Sequence, residues 1–242
     1  MAFAGLLLIV LAGGIAAAAV WIDPVLDLQI AAWFLTPGVR AALTPFYPWF
    51  DTVRDFNVAF STIFVIVAVG TLAIKLIWPK RRTLMSLRTS LLVIFTFALA
   101  PALLVNTILK PHSGRPRPAA VVELGGTQRF VQWWDFSGDC DGNCSFVSGE
   151  ASGAYALLAP AAAAPMPWRP VAIVAVVVYG TAIGVVRMAA AGHFATDVVF
   201  AGVFTALIVW LLYGCIYRWP RTRFSEDVLE RVQARRRART KA

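Results

Sequence analysis

Charge is scarce in this sequence: Asp, Glu, Lys and Arg make up 14% of 242 residues, against 59% hydrophobic ones. With a mean hydropathy of +0.71, that scarcity excludes a soluble globular domain, whose composition runs to about a quarter charged residues. Histidine occurs twice and cysteine three times. Too few ligands stand near one another for a zinc site. Cys140 and Cys144 lie close together in a polar loop, where a local disulfide and two free thiols are both open. Cys215 sits alone in an apolar run, as a small hydrophobe does. There is no internal repeat, and bias is confined to Ala runs and to Arg235, Arg236 and Arg237.

What charge there is leans basic, a net +9, and its placement matters more than its sum. Lys80, Arg81, Arg82 and Arg88 cluster in one short loop, and the rest gathers between Arg218 and Lys241. Basic residues in short loops and beside membrane ends mark the cytoplasmic side and meet anionic headgroups, so the excess does not point to nucleic acid. The apolar runs are those of an all-α, polytopic membrane helical bundle of about six transmembrane helices. They cover about Ala2 to Ile22, Val58 to Trp78, Leu87 to Leu109, Ala151 to Pro165, Val171 to Val186 and Phe194 to Tyr217. The segment from Asp23 to Phe50, mixing aromatics, prolines and acids, reads as a partly interfacial connection. One transmembrane domain over residues 1–217 and a basic cytoplasmic tail over 218–242 are expected, with both termini cytoplasmic.

That path brings three polar clusters to one membrane face, away from the cytoplasm. The first, Lys110-Pro-His-Ser-Gly-Arg115-Pro-Arg117-Pro118, concentrates cations at the mouth of the bundle. Arginine offers forked donors and lysine a compact charge, a pairing that suits a phosphoryl group, although the same residues also anchor headgroups. The second runs from Cys144 through Ser148, Gly149 and Glu150 to Gly153, where a loop turns into a helix with free N–H groups. Ser148 and Gly149 suit an anion there and Glu150 suits proton transfer, while a plain helix cap with a first-turn acid fits equally well.

The third cluster spans Arg187, Gly192, His193 and Asp197. His193 and Asp197 are four residues apart, so on one helix face the carboxylate holds one imidazole nitrogen and directs the other at substrate. That is the arrangement of an oriented nucleophile or base. Arg187 adds an anion ligand to the same turn, and an acid at the end of an apolar helix is costly without a purpose. His112 has no such carboxylate partner and reads as a loop or substrate contact.

In order and spacing, Lys110 with six residues before Arg117-Pro118, Ser148-Gly149, and Arg187 with five residues before His193 and three more before Asp197 resemble the type-2 phosphatidic acid phosphatase family. The resemblance implies a metal-independent phosphatase that needs no cofactor. His193 would attack phosphorus to give a phosphohistidine, with Asp197 orienting it. Lys110, Arg117 and Arg187 would hold the phosphate oxygens together with Ser148 and the Gly149 backbone, and water would then release phosphate.

Two positions depart from the family pattern. Val147-Ser148-Gly149-Glu150 stands where Pro-Ser-Gly-His is usual, and Val186 replaces a serine. The missing histidine ordinarily protonates the leaving group, so Glu150 with a raised pKa, water, or His112 must serve. Vanadium haloperoxidases share the cradle, but a membrane-buried bundle does not fit their chemistry. The implied substrate is a phosphorylated membrane lipid in the bilayer of a bacterial inner membrane, with lipid A at its 1- or 4'-phosphate foremost. Undecaprenyl diphosphate, phosphatidylglycerol phosphate and phosphatidate are the alternatives. A non-catalytic phospholipid-binding or transport protein is the reading from another class.

Overall fold

The computed structural model describes residues 3–219, so all but the first two residues of the expected tail 218–242 lie outside the described residues. Among those described, helices carry the architecture, and the only β pairing is an isolated bridge between Val121 and Gln128. The chain runs through α1 (Phe3–Ile22), α2 (Leu26–Leu35), α3 (Pro37–Leu43) and α4 (Tyr47–Ile77). Next comes α5 (Leu87–Phe97), continued by a wider π-helical stretch (Ala98–Leu109) and the short α6 (Lys110–His112). After a long loop follow α7 (Gly149–Tyr155), α8 (Leu158–Ala163), α9 (Trp168–Ala189) and α10 (Ala195–Tyr213).

Among the described residues, five stretches are long and apolar enough to cross a membrane: Gly5–Ile22, Pro37–Ile77, Leu87–His112, Trp168–Ala189 and Ala195–Arg218. Large aliphatic side chains such as Leu8, Ile15, Ile66 and Val178 point outward on them, the face a bilayer solvates. The expected crossing from Ala151 to Pro165 is broken into two short helices of 7 and 6 residues, which in succession lead from the Lys110 end of the bundle to the start of α9 at the other end. Pro160 explains the break, because a helical proline lacks an N–H and its ring clashes with the carbonyl four residues back, at Ala156. The helices α7 and α8 are each about 10 Å long, and Ala151, Ala154, Leu158, Ala159 and Ala162 are buried among the longer helices, so this broken crossing runs through the middle of the bundle.

A second difference lies at Asp23–Phe50, where a connection was expected. That segment is helical over α2 and α3, and α4 begins at Tyr47 rather than at Val58. Pro48 sits in the first turn of α4, where a missing N–H costs nothing. Arg54 bridges to Asp51 at 3.2 Å one turn earlier, which keeps this polar turn helical. Pro101 lies inside the π-helical stretch, whose wider turns absorb the hydrogen bond the proline cannot donate.

The loop from Ser113 to Ser148 is folded against the bundle end. Gly114 has a φ of 62°, and a Cβ there would lie 2.9 Å from the Gly138 carbonyl oxygen, so the two backbones cross at a point only glycine fits. Cys140 and Cys144 are joined in a disulfide, with Cα atoms 5.7 Å apart, which settles the open pairing. Backbone hydrogen bonds from Ser145 to Arg115, from Ala119 to Ala191 and from Ser148 to Asp197 stitch the loop to the two other clusters. All three clusters therefore meet at one end of the bundle.

Close helix contact under that end depends on small residues. A methyl group on Gly184 of α9 would fall 2.1 Å from Val198 Cγ1 of α10, and valine is stiff at χ1. Gly70 of α4 has open space. Gly184→Ala is expected to destabilise the protein by about 2 kcal/mol, read as a lower thermal midpoint in detergent. Gly70→Ala should leave that midpoint unchanged or slightly raised.

Candidate active site

His193 lies in the short turn between α9 and α10 and is fully buried. Ala191 makes the turn by adopting a φ of 51°, so that Gly192 N–H reaches back to the Arg187 carbonyl at 3.0 Å and closes the helix end. A side chain on Gly192 would come within 2.9 Å of Arg187 Nη2. The glycine thus lets the guanidinium lie alongside the histidine turn.

The Nδ1 atom of His193 is 2.8 Å from the Ser145 carbonyl oxygen. A carbonyl only accepts, so Nδ1 carries a proton, and Nε2 is the ring nitrogen turned toward Glu150. The expected hydrogen bond from His193 to Asp197 is not made, since Asp197 Oδ2 stands 3.6 Å from Nδ1. Its carboxylate is saturated by other donors. Phe194 N–H donates to Oδ2 at 2.8 Å, Ser145 Oγ also donates to Oδ2, and Arg115 Nη1 donates to Oδ1. Asp197 therefore acts on His193 through its charge and through Ser145.

Nε2 of His193 faces Glu150 Oε2 at 3.4 Å, and Arg187 Nε faces Glu150 Oε1 at 3.4 Å. None of His193 Nε2, Arg187 Nε and Glu150 Oε2 has a hydrogen-bond partner, although all three are buried. Three buried polar atoms without hydrogen bonds converge on one point, an arrangement suited to a polar ligand. Glu150 lies at the loop-to-helix junction, outside the five long spans. Burial opposes its ionisation, but His193, Arg187 and Lys110 outweigh that and hold the carboxyl below the usual carboxylate range. The expectation of a raised pKa is not met, because the Glu150 carboxylate faces the Arg187 and Lys110 charges.

Lys110 opens α6 directly after the π-helical stretch, within electrostatic reach of Glu150, Arg117 and Arg187. A Cβ on Gly149 would lie 3.2 Å from both Lys110 Nζ and Asn106 Oδ1, so Gly149 admits the ammonium to the start of α7. Ser148 caps α7, its Oγ accepting from Ala151 N–H at 3.3 Å, and the hydroxyl hydrogen remains available to a ligand. Arg117 is half-buried and donates to the Asn143 carbonyl at 3.3 Å, at the rim. A cavity of about 340 Å³ opens from this polar end between α4 and the π-helical stretch, lined by Lys110, Gly149 and Glu150, then by Val58, Phe97 and Pro101.

Three contributors were not singled out from sequence. Arg115 is fully buried, with Nη2 donating to Asp27 Oδ2 at 2.7 Å, Nη1 to Thr196 Oγ1 at 2.9 Å and Nε to the Val131 carbonyl at 3.1 Å. Its guanidinium also lies 4.4 Å over the Phe194 ring. Asp27, placed by sequence in an interfacial connection, is fully buried on α2 and accepts from Thr196 N–H at 3.1 Å. Ser145 supplies the carbonyl that fixes the His193 tautomer. A signal existed for Asp27, an acid within the apolar run from Val25 to Leu35.

The PAP2 superfamily model matches residues 91–221, more than half of the chain. The chain belongs to the PAP2 superfamily. It is 34% identical over 204 residues to the lipid A 4'-phosphatase of Francisella tularensis subsp. novicida, covering 81% of this chain and 89% of the relative. Lipid A 4'-phosphatases of Rhizobium etli and Rhizobium leguminosarum are 37% and 35% identical over 112 and 115 residues, roughly half of each chain. No solved structure matches. This PAP2 member is thus a bacterial membrane phosphatase, a phosphoric monoester hydrolase acting on a lipid.

Arg115 is the one guanidinium between two buried carboxylates, so removing it leaves both uncompensated. Arg115→Met is expected to lower stability by about 3–5 kcal/mol, measured as thermal unfolding in detergent. Arg115→Met combined with Asp27→Asn should recover part of that loss, because one of the stranded charges is gone.

Proposed function

We propose that this enzyme removes the 4'-phosphate of lipid A at the periplasmic membrane face through a phosphohistidine on His193. The observation that carries the chemistry is the convergence of His193 Nε2, Arg187 Nε and Glu150 Oε2, all buried and without hydrogen bonds. The position on the lipid is supported by relatives named as lipid A 4'-phosphatases. The membrane side is supported by Lys80, Arg81 and Arg82, which follow α4 and mark the opposite end as cytoplasmic. Residues 1–217 form the phosphatase domain on this reading, and 218–242 a basic cytoplasmic tail.

The phosphoryl group enters where the Glu150 carboxylate now lies and takes over its cations. Arg187, Lys110 and Arg117 hold the oxygens, joined by the Ser148 hydroxyl and the Gly149 N–H. Displaced from Arg187 and set beside phosphate oxygens, Glu150 takes up a proton, because neighbouring negative charge favours its neutral form. His193 Nε2 then attacks phosphorus as the bond to the sugar oxygen breaks, and Glu150 gives its proton to that oxygen. In the second half, Glu150 takes a proton from water, the oxygen attacks phosphorus, the N–P bond breaks and phosphate leaves. The cations stabilise the charge carried by the transferring group throughout. The cavity beyond Glu150 gives the sugar and acyl portion a path toward the bilayer.

Purified protein in detergent with a chelator present is expected to release phosphate from lipid A and to leave a product lacking the 4'-phosphate by mass spectrometry. Release from phosphatidate or undecaprenyl diphosphate but not from lipid A would overturn the substrate. His193→Gln should reduce release by on the order of 10³-fold or more, and unchanged release would sink the mechanism.

Glu150→Gln should cost about 10²–10⁴-fold with lipid substrate and much less with a p-nitrophenyl ester, whose leaving group needs no proton. An equal loss with both substrates would remove Glu150 as the acid.

A further inference from the structure

Asp27 belongs to α2, outside residues 91–221 that the superfamily model covers. Yet it is fully buried at the catalytic turn, 169 residues from its hydrogen-bond partner Thr196. Its Oδ1 accepts from Thr196 N–H at 3.1 Å, which caps the first turn of α10 from another helix. Its Oδ2 accepts from Thr196 Oγ1 and, at 2.7 Å, from Arg115 Nη2. Arg115 in turn donates to Asp197 Oδ1, and Asp197 Oδ2 accepts from Ser145 Oγ. Ser145 then receives the His193 Nδ1–H on its carbonyl at 2.8 Å. An unbroken run of hydrogen bonds therefore leads from α2 to the imidazole, and Asp27, Arg115, Asp197 and His193 along it are all fully buried.

The charges in this run do not cancel. Two carboxylates face one guanidinium, leaving one net negative charge, and its nearest oxygen is 3.6 Å from His193 Nδ1 and on the far side of the ring from Glu150. Glu150 sets a carboxylate 3.4 Å from Nε2 as well, so charge alone does not choose the tautomer; the Ser145 carbonyl held by this run accepts the Nδ1–H and leaves the lone pair on Nε2. Capping a helix needs only one acceptor, which any Ser, Thr or Asn supplies. An ionised aspartate that also engages a buried arginine is more than a cap requires.

We infer that Asp27 and Arg115 are positioning residues for the phosphoryl transfer, holding Asp197 and Ser145 so that His193 presents an unprotonated Nε2. The inference rests on His193 being the nucleophile, as proposed above. Asp27→Asn keeps an acceptor for Thr196 N–H and removes the excess negative charge. Arg115→Lys keeps the charge and removes the fork that touches both carboxylates.

The chain has two histidines, so full-length protein labelled with ¹⁵N-histidine and held in detergent gives two imidazole spectra, with His193 identified by their comparison in His112→Gln. Wild type should show His193 protonated on Nδ1. Asp27→Asn should show a mixture of the two tautomers and a kcat lower by roughly 10- to 100-fold, the scale of losing an outer partner of a functional histidine, with KM nearly unchanged. Should Asp27→Asn fail to fold, Arg115→Lys carries the same pair of readouts. A Nδ1-protonated spectrum as clean as that of wild type overturns the inference, whether or not kcat falls, and so does a mixed spectrum with wild-type kcat. A wild type that releases no phosphate overturns the phosphatase mechanism instead, since the tautomer is read without substrate.

Discussion

The active end of this protein is organised around one buried guanidinium. Arg115 has no exposure to solvent and is shared between Asp27 and Asp197. A charge so placed is tolerable only where every donor finds an acceptor, since desolvation costs several kcal/mol per ion. That requirement pins α2, the long loop and the first turn of α10 to one another. His193 sits immediately before α10, and its orientation follows from the same contacts. The histidine is held by a main-chain carbonyl, and the acid four residues on supplies charge from behind.

In front of the ring the electrostatics are reversed. Lys110 lies within electrostatic reach of Arg117, Arg187 and Glu150, and Glu150 meets both Arg187 and His193 at 3.4 Å without a hydrogen bond to either. Loose contacts of this kind are easily surrendered to an anion that fits better. A phosphoryl group brings several oxygens in a geometry that guanidinium forks match. In the proposed mechanism, glutamate in place of the family's usual histidine has a physical sense: the carboxylate that faces Arg187 and His193 becomes a proton carrier once phosphate displaces it.

Much of this was legible in the sequence. The spacing of Lys110, Arg117, Ser148, Gly149, Arg187, His193 and Asp197 named the residues that meet, and the apolar runs placed four of the long helices to within a few residues, all but the start of α4. What could not be read has particular causes. The partner of His193 Nδ1 is the carbonyl of Ser145, a group every residue possesses, so no side-chain pattern announces it. Asp27 reaches Arg115 across 88 residues, and no local periodicity encodes that pairing. The break between α7 and α8 was hidden because Pro160 lies in an Ala-rich run whose composition resembles a continuous helix. The early start of α4 was hidden because its first turns are polar and aromatic, and hydropathy reports burial in lipid and not helicity.

In the proposed mechanism His193 Nε2 carries the phosphoryl group, with Nδ1 committed to Ser145. Rapid quench of the enzyme mixed with ³²P-labelled lipid substrate, followed by alkaline proteolysis and mapping of the labelled peptide, tests it most directly. A transient acid-labile label on the peptide containing His193, attached through Nε2, is expected. Label attached through Nδ1, label on another residue, or turnover with no labelled protein at any time would contradict it.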